Sequence, residues 1–323
     1  MINLKELVIY PSSECNLHCK HCYTNKEPYE LGFDDLKWIK QTFNPRKTII
    51  MGGEPLLYNE LEYILHIFPN VTISTNTVYV EKKLDMLQNY RNKLTLQLSL
   101  EGSKEETNTI RGEMIWEICM HMAKLLQKHS INFYFRASYH QDNLNDIVKY
   151  VLPLAKQFNV GVMLLPRIDL PSLDGNTQAW FFQQVIGFKN CAVAQPHFFQ
   201  FIDKPGRCKA GDERINIYFD KRITPCNFDL EYTLGHIGDD EKTIVSNMKM
   251  FVENFKVPPA ECSGCPQNTV CKGSCYISKS YIGCPLRYNV GINTVIMKSN
   301  LDEKTVKQEM NLLTNYVKDL GIC

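Results

Sequence analysis

The sequence lacks any long hydrophobic run. No segment contains about 18 consecutive apolar residues, and the N-terminal stretch MINLKELVIY carries Lys5 and Glu6 where a signal peptide needs an apolar core. We therefore expect no membrane span, no export signal and a cytoplasmic location. The chain also lacks an excess of charge of one sign, with 36 Lys and Arg against 35 Asp and Glu. This balance, without a basic–aromatic patch, argues against nucleic acid and acidic membrane surfaces as partners.

Internal repeats, low-complexity tracts and histidine pairs with metal-binding spacing are absent too. What the sequence does contain is cysteine, with 13 residues. In a reducing compartment, closely spaced cysteines indicate metal binding or catalysis more than disulfides, and an odd number excludes complete pairing within one chain. Ten of them form two groups, one near the start of the chain and one at positions 208–284.

The first half of the chain alternates between strand-like and helical segments. Strands are predicted at 4–10, 47–51, 70–74, 93–100, 131–138 and 160–165, and helices at 33–43, 58–68, 79–90, 114–129 and 143–158. Repeated βα units favour parallel strands with right-handed crossovers, so the predicted fold class is α/β, a partial (β/α)6 TIM-like barrel. In such folds the chemistry lies in the loops after the carboxyl ends of the strands.

The βα rhythm stops after the barrel. We predict the barrel at 1–170, a linker with a helical segment at 171–204, a small cysteine-rich domain at 205–290 and a C-terminal helical segment at 291–323. The third region is rich in Cys, Gly, Pro and turn signals, with short strands such as RINIYFD, so something other than a large core must hold it.

The first cysteine group, CNLHCKHCY, places Cys15, Cys19 and Cys22 in the loop after the first predicted strand. Thiolates are the ligands of iron–sulfur clusters, and four of them fill a four-iron cluster. Three thiolates leave one iron open to an exogenous ligand. The alternative is a structural zinc site, which takes four protein ligands and needs His18 or His21 to complete the set.

This loop, with an aromatic residue after its third cysteine, resembles that of the radical S-adenosylmethionine (SAM) superfamily. Further motifs agree in order and position: MGGEP after the second strand, STN ending the third, LSLEG ending the fourth, and IRG at 110–112. The resemblance implies that SAM is bound by Tyr23, Gly52, Gly53, Glu54, Pro55, Ser74, Asn76, Ser99 and Arg136. Many relatives have Asp where this chain has Glu101, which is a departure.

The resemblance also implies a reaction. A [4Fe-4S] cluster on the first three cysteines would chelate SAM through its open iron and reduce it to methionine and a 5′-deoxyadenosyl radical, which abstracts hydrogen from a substrate. The protein supplies position and excludes water. The glycines of MGGEP let the backbone approach the SAM ammonium group closely, and Ser99 and Arg136 would hold its carboxylate.

The second cysteine group resembles the SPASM domain, a C-terminal extension of many radical SAM enzymes that holds two auxiliary [4Fe-4S] clusters. The resemblance assigns Cys208, Cys226 and Cys275 to the nearer cluster, and the farther one to Cys262, Cys265, Cys271 and Cys284. The nearer set lacks a fourth ligand, for which Cys191 is the candidate. Lys221 stands where the family has Gly, which changes a hairpin turn and no ligand. Zinc is the alternative for residues 262–284 taken alone.

Radical SAM proteins with SPASM extensions mostly modify peptides or proteins. We predict a peptide maturase that forms a thioether or carbon–carbon crosslink. Formylglycine formation is disfavoured because Asn227 stands where that group has a proposed basic Asp, and an amide does not take up a proton at neutral pH; Asp220 and Asp229 lie near it in sequence. Peptide epimerisation is an alternative, with Cys191 as hydrogen donor, and a zinc-binding scaffold is an alternative of another class.

The remaining predictions concern partners and isolated cysteines. A reductant such as flavodoxin or ferredoxin is expected to supply electrons. The chain starts directly at the first barrel strand, so we expect a leader-peptide-binding domain to be absent or a separate protein. Cys119 lies in an apolar helical segment and is predicted to be a core residue, and Cys323 is expected to be inert.

Overall fold

A computed structural model describes residues 1–167, 169–171, 173–174, 177, 180–181, 184–185, 188, 191–193, 208–229, 231–257, 277, 304 and 308. The predicted ligands Cys262, Cys265, Cys271, Cys275 and Cys284, together with Cys323 and nearly all of the predicted C-terminal helix, lie outside the described residues. The chain forms two compact units. The first comprises Met1–Leu100, Thr107–Tyr134 and Lys209–Asn254, and the second Glu101–Glu106, Phe135–Cys208 and Phe255–Cys323. The domain boundaries drawn from the sequence stay predictions.

The strands are β1 Ile2–Tyr10, β2 Phe43–Ile50, β3 Val71–Thr75, β4 Leu94–Ser99, β5 Asn132–Tyr139, β6 Gly161–Pro166, β7 Cys191–Val193, β8 Arg214–Tyr218, β9 Arg222–Thr224 and β10 Gly235–His236. The α-helices are α1 Phe33–Thr42, α2 Leu61–Ile67, α3 Leu84–Asn89, α4 Lys104–Arg111, α5 Ile115–Lys128, α6 Leu144–Asp146, α7 Leu152–Phe158 and α8 Glu241–Phe255. A π turn, Ile147–Val151, joins α6 to α7, and short 3-10 turns occur at Pro55–Leu57, Glu81–Lys83 and Gln141–Asn143.

These elements confirm the predicted α/β alternation. Each of the six predicted barrel strands and five predicted helical segments is present, within a few residues of its expected bounds. The sequence did not reveal α4, β7, β9, β10 and α8. Helix α8 has a local start signal, because the Asp240 side chain accepts hydrogen bonds from the Lys242 and Thr243 backbone amides, as an N-cap does.

The sheet of the first unit has the order β10-β9-β8-β1-β2-β3-β4. The pairs β8–β1, β1–β2, β2–β3 and β3–β4 are parallel, whereas β9 pairs antiparallel with β8 and with β10. Strands β6 and β7 and the part of β5 from Phe135 belong to the second unit, and the three strands are neighbours in the order β5-β6-β7, with β7 parallel to β6. The parallel strands place the loop after β1 at the carboxyl-end edge of the sheet, where barrel enzymes carry their chemistry.

One face of the central strands β8, β1 and β2 is layered. Because side chains alternate along a strand, residues i and i+2 point to the same face, and so do their register partners on the neighbouring strands. Cross-strand rows follow from the register: a charged row of Arg214, Glu6 and Lys47, then a row of Asn216, Val8 and Ile49. Beyond them, toward the cysteines, Tyr218 lies beside Tyr10. On the opposite face Leu7 and Ile9 are fully buried in the apolar core.

The charged row surrounds one buried carboxylate with several cations. Glu6 is 1% exposed and pairs with Arg214 and with Lys209, whose Nζ lies 3.3 Å from its Oε1. Burial alone would raise the pKa of Glu6, but the Arg214 and Lys209 charges outweigh it and lower the pKa. Burial, together with the Arg214 and Lys209 charges, lowers the pKa of Lys47 to about 8 in spite of Glu6. This row thus concentrates positive charge around one buried carboxylate.

Within the part of the chain that the structure describes, no helix is long and apolar enough to cross a membrane.

Candidate active site

The first three cysteines lie in the loop between β1 and α1, residues 11–31, here called the cysteine loop. Its two ends are held together, since the Leu31 amide donates to the Pro11 carbonyl at 2.8 Å. Deeper in the loop, the Ser13 hydroxyl donates to the Glu27 carbonyl at 2.7 Å and accepts from the Glu27 amide at 2.8 Å. These contacts close the loop at its base, so the thiols project from a fastened segment.

Cys15 and Cys19 are half-buried and Cys22 is exposed, and the seven described cysteines are thiols, not disulfides. Burial raises the pKa of the Cys15 thiol, and the nearby Glu54 and Cys22 charges add to the effect. Cys15 is therefore protonated at neutral pH, and ligation of a metal would release its proton. Among the described residues, no three His, Cys, Asp or Glu side chains are arranged to hold a metal ion. The loop therefore supplies three thiol donors, but their sulfur atoms do not converge on one point.

The MGGEP segment packs its backbone directly against the cysteine loop. The Gly53 amide donates to the Ser12 carbonyl at 3.0 Å, and the Glu54 amide donates to the Glu14 carbonyl at 2.7 Å. A Cβ at Gly53 would lie 2.0 Å from the Glu14 carbonyl oxygen, and Gly52 has a φ of +131°. The glycines are thus required here because two backbones touch. This reason differs from the close approach to SAM expected from the sequence.

Glu54 is a buried connector between MGGEP and the end of β3. Its carboxylate accepts from the Asn76 amide at 2.7 Å, the Thr75 hydroxyl at 2.8 Å and the Leu56 amide at 3.0 Å. Burial raises the pKa of Glu54 to about 7, against the lowering effect of these hydrogen bonds. At 3% exposure the side chain serves the architecture of the site, and Pro55 beside it begins the 3-10 turn.

Asn76, just after β3, reaches the cysteine loop with its side chain. Its Nδ2 donates to Asn16 Oδ1 at 2.9 Å and lies 3.8 Å from Cys15 Sγ. Its Oδ1 accepts from the Val78 amide at 3.1 Å, which fixes the orientation of the amide. Of the residues in the STN motif, Asn76 is brought to the cysteines, whereas Ser74 is half-buried within β3.

The carboxyl end of α4 provides a further anchor. The Lys20 amide donates to the Ile110 carbonyl at 2.9 Å, and the Cys19 thiol lies 3.9 Å from the Arg111 carbonyl oxygen. The Arg111 charge also lowers the pKa of Glu54, against the larger effect of burial. The IRG motif therefore acts through its backbone and through a cation near the buried carboxylate.

Lys26 is a loop residue that sequence reasoning missed. Its Nζ donates to the carbonyls of Cys15 at 3.4 Å and Leu17 at 3.2 Å, and lies 3.1 Å from His18 Nε2. It thus places a positive charge beside the backbone of Cys15, inside the cysteine loop. A lysine in a polar loop carries no periodic signal, so only its position between Cys22 and the end of the loop hints at this role.

Tyr23 is 40% exposed at the rim of the loop and lies 5.7 Å, centroid to centroid, from Phe228. Ser99 is buried at the end of β4, in the first unit. Arg136 is half-buried on β5, in the second unit. Glu101, the departure from the family pattern, is buried and accepts from the Ser138 amide at 3.1 Å.

The described cysteines of the second half lie in different surroundings. Cys226 follows β9, and its thiol lies 3.8 Å from Asn227 Oδ1. The Lys256 ammonium donates to the Cys208 carbonyl at 2.7 Å. Cys191 is fully buried on β7, opposite Val162 near the start of β6, and burial raises the pKa of its thiol. Cys119 is a core residue of α5, as predicted, and burial raises its pKa to about 12.

Lys221 occupies a left-handed turn between β8 and β9, with a φ of +71°. Glycine enters this conformation without strain, which explains the Gly of the resembling family. Here the lysine ammonium pairs with Asp35 at 2.9 Å. Lys221 therefore keeps a left-handed turn at some cost in strain and adds a surface ion pair.

The donor set of the cysteine loop fits an iron–sulfur cluster. Its ligand side chains are sulfur atoms on one fastened loop, and Lys26 places a positive charge next to them. A cluster with thiolate ligands carries net negative charge, which this cation complements.

The fold and this loop define a class. The radical SAM superfamily model matches residues 9–151, the part of the chain that contains the cysteine loop and MGGEP, so this range matches a radical SAM domain. This family implies SAM and a [4Fe-4S] cluster as cofactors.

Individual relatives extend the picture. The subtilosin biosynthesis protein AlbA of Bacillus subtilis is 28% identical, over 81% of this chain and 65% of its own length. This chain therefore spans less than two thirds of that relative. Streptococcus suis SuiB bound to precursor peptide SuiA matches with a TM-score of 0.70 at 18% identity, over 88% of this chain and 74% of SuiB. The structure of anSMEcpe with AdoMet and the Cp18Cys peptide matches with a TM-score of 0.72 at 19% identity, over 96% and 99%. At these identities the solved structures bear on the fold.

Proposed function

We propose that this chain is a maturase that removes hydrogen from a peptide or protein substrate and forms a thioether or carbon–carbon crosslink. The observation that carries the radical part of the proposal is the fastening of the cysteine loop to MGGEP, to Asn76 and to the end of α4. Three separate motifs, at residues 51–55, 74–76 and 110–112, thereby contact one loop of thiols.

In this proposal Cys15, Cys19 and Cys22 hold the cluster. When bound, the cluster supplies the electron that cleaves SAM to methionine and a 5′-deoxyadenosyl radical. The chain itself positions the loop through Glu54 and Asn76 and balances its charge with Lys26. Tyr23, at the exposed rim, is placed to contact SAM, and the remaining SAM contacts assigned from the sequence are part of the proposal.

The substrate class rests on the relatives. AlbA is named for the biosynthesis of a bacteriocin, SuiB was solved with a precursor peptide, and anSMEcpe with a peptide. We extend this to a peptide substrate for the present chain. Two auxiliary clusters on the second cysteine group, a flavodoxin or ferredoxin as reductant, a separate leader-binding protein and a cytoplasmic location belong to the same proposal.

The surroundings of Cys226 favour crosslinking over formylglycine formation. Asn227 is not a base, and the two neighbouring carboxylates are engaged. Asp220 receives the Arg222 guanidinium at 2.6 Å and the Arg222 amide at 3.2 Å, and Asp229 accepts from the Tyr232 amide at 3.1 Å. Both carboxylates therefore already accept hydrogen bonds from neighbouring residues.

The surroundings of Cys191 do not favour epimerisation. A hydrogen donor must reach the substrate, and this thiol is fully buried near the start of β6, away from the carboxyl ends of the strands. Its assignment as the fourth ligand of the nearer auxiliary cluster stays a prediction. Cys191→Ala tests it: loss of iron with retained fold indicates a ligand, and unchanged iron indicates a core residue.

Anaerobic reconstitution with iron and sulfide tests the function. About 12 irons per chain are expected for three four-iron clusters, and the reduced protein should release 5′-deoxyadenosine from SAM. Cys22→Ala should lose about 4 irons and all 5′-deoxyadenosine. The matched control is Cys119→Ala, which removes a buried thiol from a helix and should retain both. Absence of 5′-deoxyadenosine from the wild-type chain, with and without peptide, would refute the proposal.

The product then separates the alternatives. A crosslink removes two hydrogen atoms from the peptide, whereas epimerisation leaves its mass unchanged. Formylglycine formation from cysteine replaces the thiol with an aldehyde. High-resolution mass spectrometry of a peptide encoded beside this chain distinguishes these outcomes.

A further inference from the structure

Two buried tyrosines connect the cysteine loop to the loop that carries Cys226. Tyr10 is the last residue of β1 and Tyr218 the last residue of β8, and the two are register partners in the parallel pair. Their rings stack with centroids 4.4 Å apart and planes 12° from parallel. Tyr10 is 1% exposed and Tyr218 5% exposed. Strand β1 leads from this stack into the cysteine loop, and β8 leads through β9 to Cys226.

The two hydroxyl groups of the stack each contact one of the two cysteine segments. Tyr10 Oη lies 3.3 Å from Tyr23 Oη and 3.5 Å from Met51 Sδ. Tyr23 directly follows Cys22 in the cysteine loop. Tyr218 Oη donates to the Asn227 carbonyl at 3.2 Å, and Asn227 directly follows Cys226. Two phenylalanines at these positions would pack equally well in this layer. The contribution specific to tyrosine is therefore the hydrogen bonds of the two hydroxyl groups.

The loop after β9 also forms hydrogen bonds with a buried side chain of β8. With its side-chain oxygen turned toward this loop, Asn216 accepts from the Cys226 amide at 3.2 Å and the Asn227 amide at 3.3 Å. Asn216 is fully buried, two residues before Tyr218 on the same face of β8. The Cys226 segment is therefore bound to β8 by the side-chain amide of Asn216 and the hydroxyl of Tyr218. A displacement of Tyr218 would consequently displace the backbone at Cys226.

We propose that Tyr10 and Tyr218 are positioning residues that couple the two cysteine segments, so that displacement of the segment around Cys22 and Tyr23 alters the segment around Cys226, and the reverse. The coupling passes through a rigid contact of two rings in a close-packed layer, which transmits displacement instead of absorbing it. Coupling of this kind is reciprocal. The coupling between the two segments needs no cofactor, since it consists of contacts within the chain. Only its role in catalysis rests on the proposed function.

The role in the enzyme follows from what the segments carry. Tyr23 is proposed to contact SAM, and Cys226 is proposed to bind the nearer auxiliary cluster. The stack would keep the ring of Tyr23 in one orientation while the other end fixes the Cys226 backbone. Binding of SAM beside Tyr23 would then alter the backbone at Cys226, and binding of a cluster at Cys226 would alter the orientation of Tyr23, without any contact between the two ligands.

Thiol reactivity in the full-length chain, purified anaerobically without iron, tests the coupling. Tyr218→Leu should raise the rates of iodoacetamide alkylation at both Cys22 and Cys226 by about threefold to tenfold, the factor that the stabilisation of one aromatic pair corresponds to. Tyr139→Leu is the matched control. Tyr139 is also buried against an aromatic ring, that of Phe181, and its loss should leave both rates within about twofold.

Conservative variants keep the test decisive if Tyr218→Leu does not fold. Tyr218→Phe retains the ring and removes the hydroxyl, so it should raise alkylation of Cys226 alone. Tyr10→Phe should raise alkylation of Cys22 alone. The double variant Tyr10→Leu/Tyr218→Leu should be no more reactive than either single variant, because both remove the same contact.

Three results would overturn the proposal: unchanged Cys22 reactivity in Tyr218→Leu, an equal rise in Tyr139→Leu, or additive effects in the double variant. A second readout uses the reconstituted enzyme, in which Tyr10→Phe should raise the Kd for SAM with iron content unchanged. If the wild-type chain binds no SAM, the proposed function fails, and the alkylation result still decides the coupling.

Discussion

Glu6→Gln should strongly destabilise the fold. The carboxylate is 1% exposed and pairs with Arg214 and Lys209, and Lys47 is its register partner on β2. The amide cannot balance these cations, which stay in the partly buried row. Removing one partner of a buried ion pair costs about 3–5 kcal/mol because the opposite charge is left uncompensated. The expected loss is a large share of a total stability of about 5–15 kcal/mol.

Urea unfolding of the full-length chain measures this loss as a fall in the midpoint with an unchanged m-value. The control is Lys5→Gln, which breaks the Lys5–Glu213 pair at 2.7 Å. That pair is largely exposed, so its removal should cost less than about 1 kcal/mol. Adding Lys47→Met to Glu6→Gln should restore part of the stability, because it removes one uncompensated cation. A loss for Glu6→Gln no larger than that for Lys5→Gln would refute the reasoning.

The remaining predictions concern one lysine pKa and two turns. The pKa of Lys47 falls from 10.5 to about 8 on folding, so the folded chain loses this proton at a lower pH than the unfolded chain. The unfolding free energy of the wild type relative to Lys47→Met should therefore rise by about 3 kcal/mol between pH 8 and 10.5. An unfolding free-energy difference that does not change with pH would contradict the burial of Lys47. Lys221→Gly should be more stable than Lys221→Ala by about 1 kcal/mol in urea unfolding, because only glycine enters the left-handed turn without strain, and equal midpoints would exclude this. Gly53→Ala should lose about 1–3 kcal/mol, since its Cβ would overlap the Glu14 carbonyl. Gly32→Ala, whose Cβ meets nothing closer than 3.8 Å, should lose less in the same assay.

The sequence predicts the position of the cysteine loop and of MGGEP because both motifs are local and both follow strong strand patterns. It does not predict what Glu54 contacts, since the donors Thr75 and Asn76 lie at the end of β3 and just after it, about 20 residues further along the chain. The purpose of the glycines is also hidden. Their neighbour is the backbone of Ser12 to Glu14, and no residue pattern encodes a contact between two backbones.

The charged row escapes sequence reasoning for a different reason. Glu6 sits in a hydrophobic strand, where a charged residue normally indicates a solvent-exposed edge. Its partners Lys209 and Arg214 come about 200 residues later and reach it because β8 docks on β1. Tyr10 and Tyr218 meet for the same reason. Long-range pairing of strands is decided by the whole fold, and short windows of sequence do not contain it.

The pairing of β8 with β1 also bears on how the chain is made. Strand β2 ends at Ile50, whereas β8 begins at Arg214, so one side of β1 waits for its partner while roughly 160 residues leave the ribosome. At typical synthesis rates this takes roughly 10–30 s. During that interval an apolar strand edge is open to other chains. The nascent chain therefore has a defined period, before β8 is made, in which a chaperone that covers the open edge of β1 would limit aggregation.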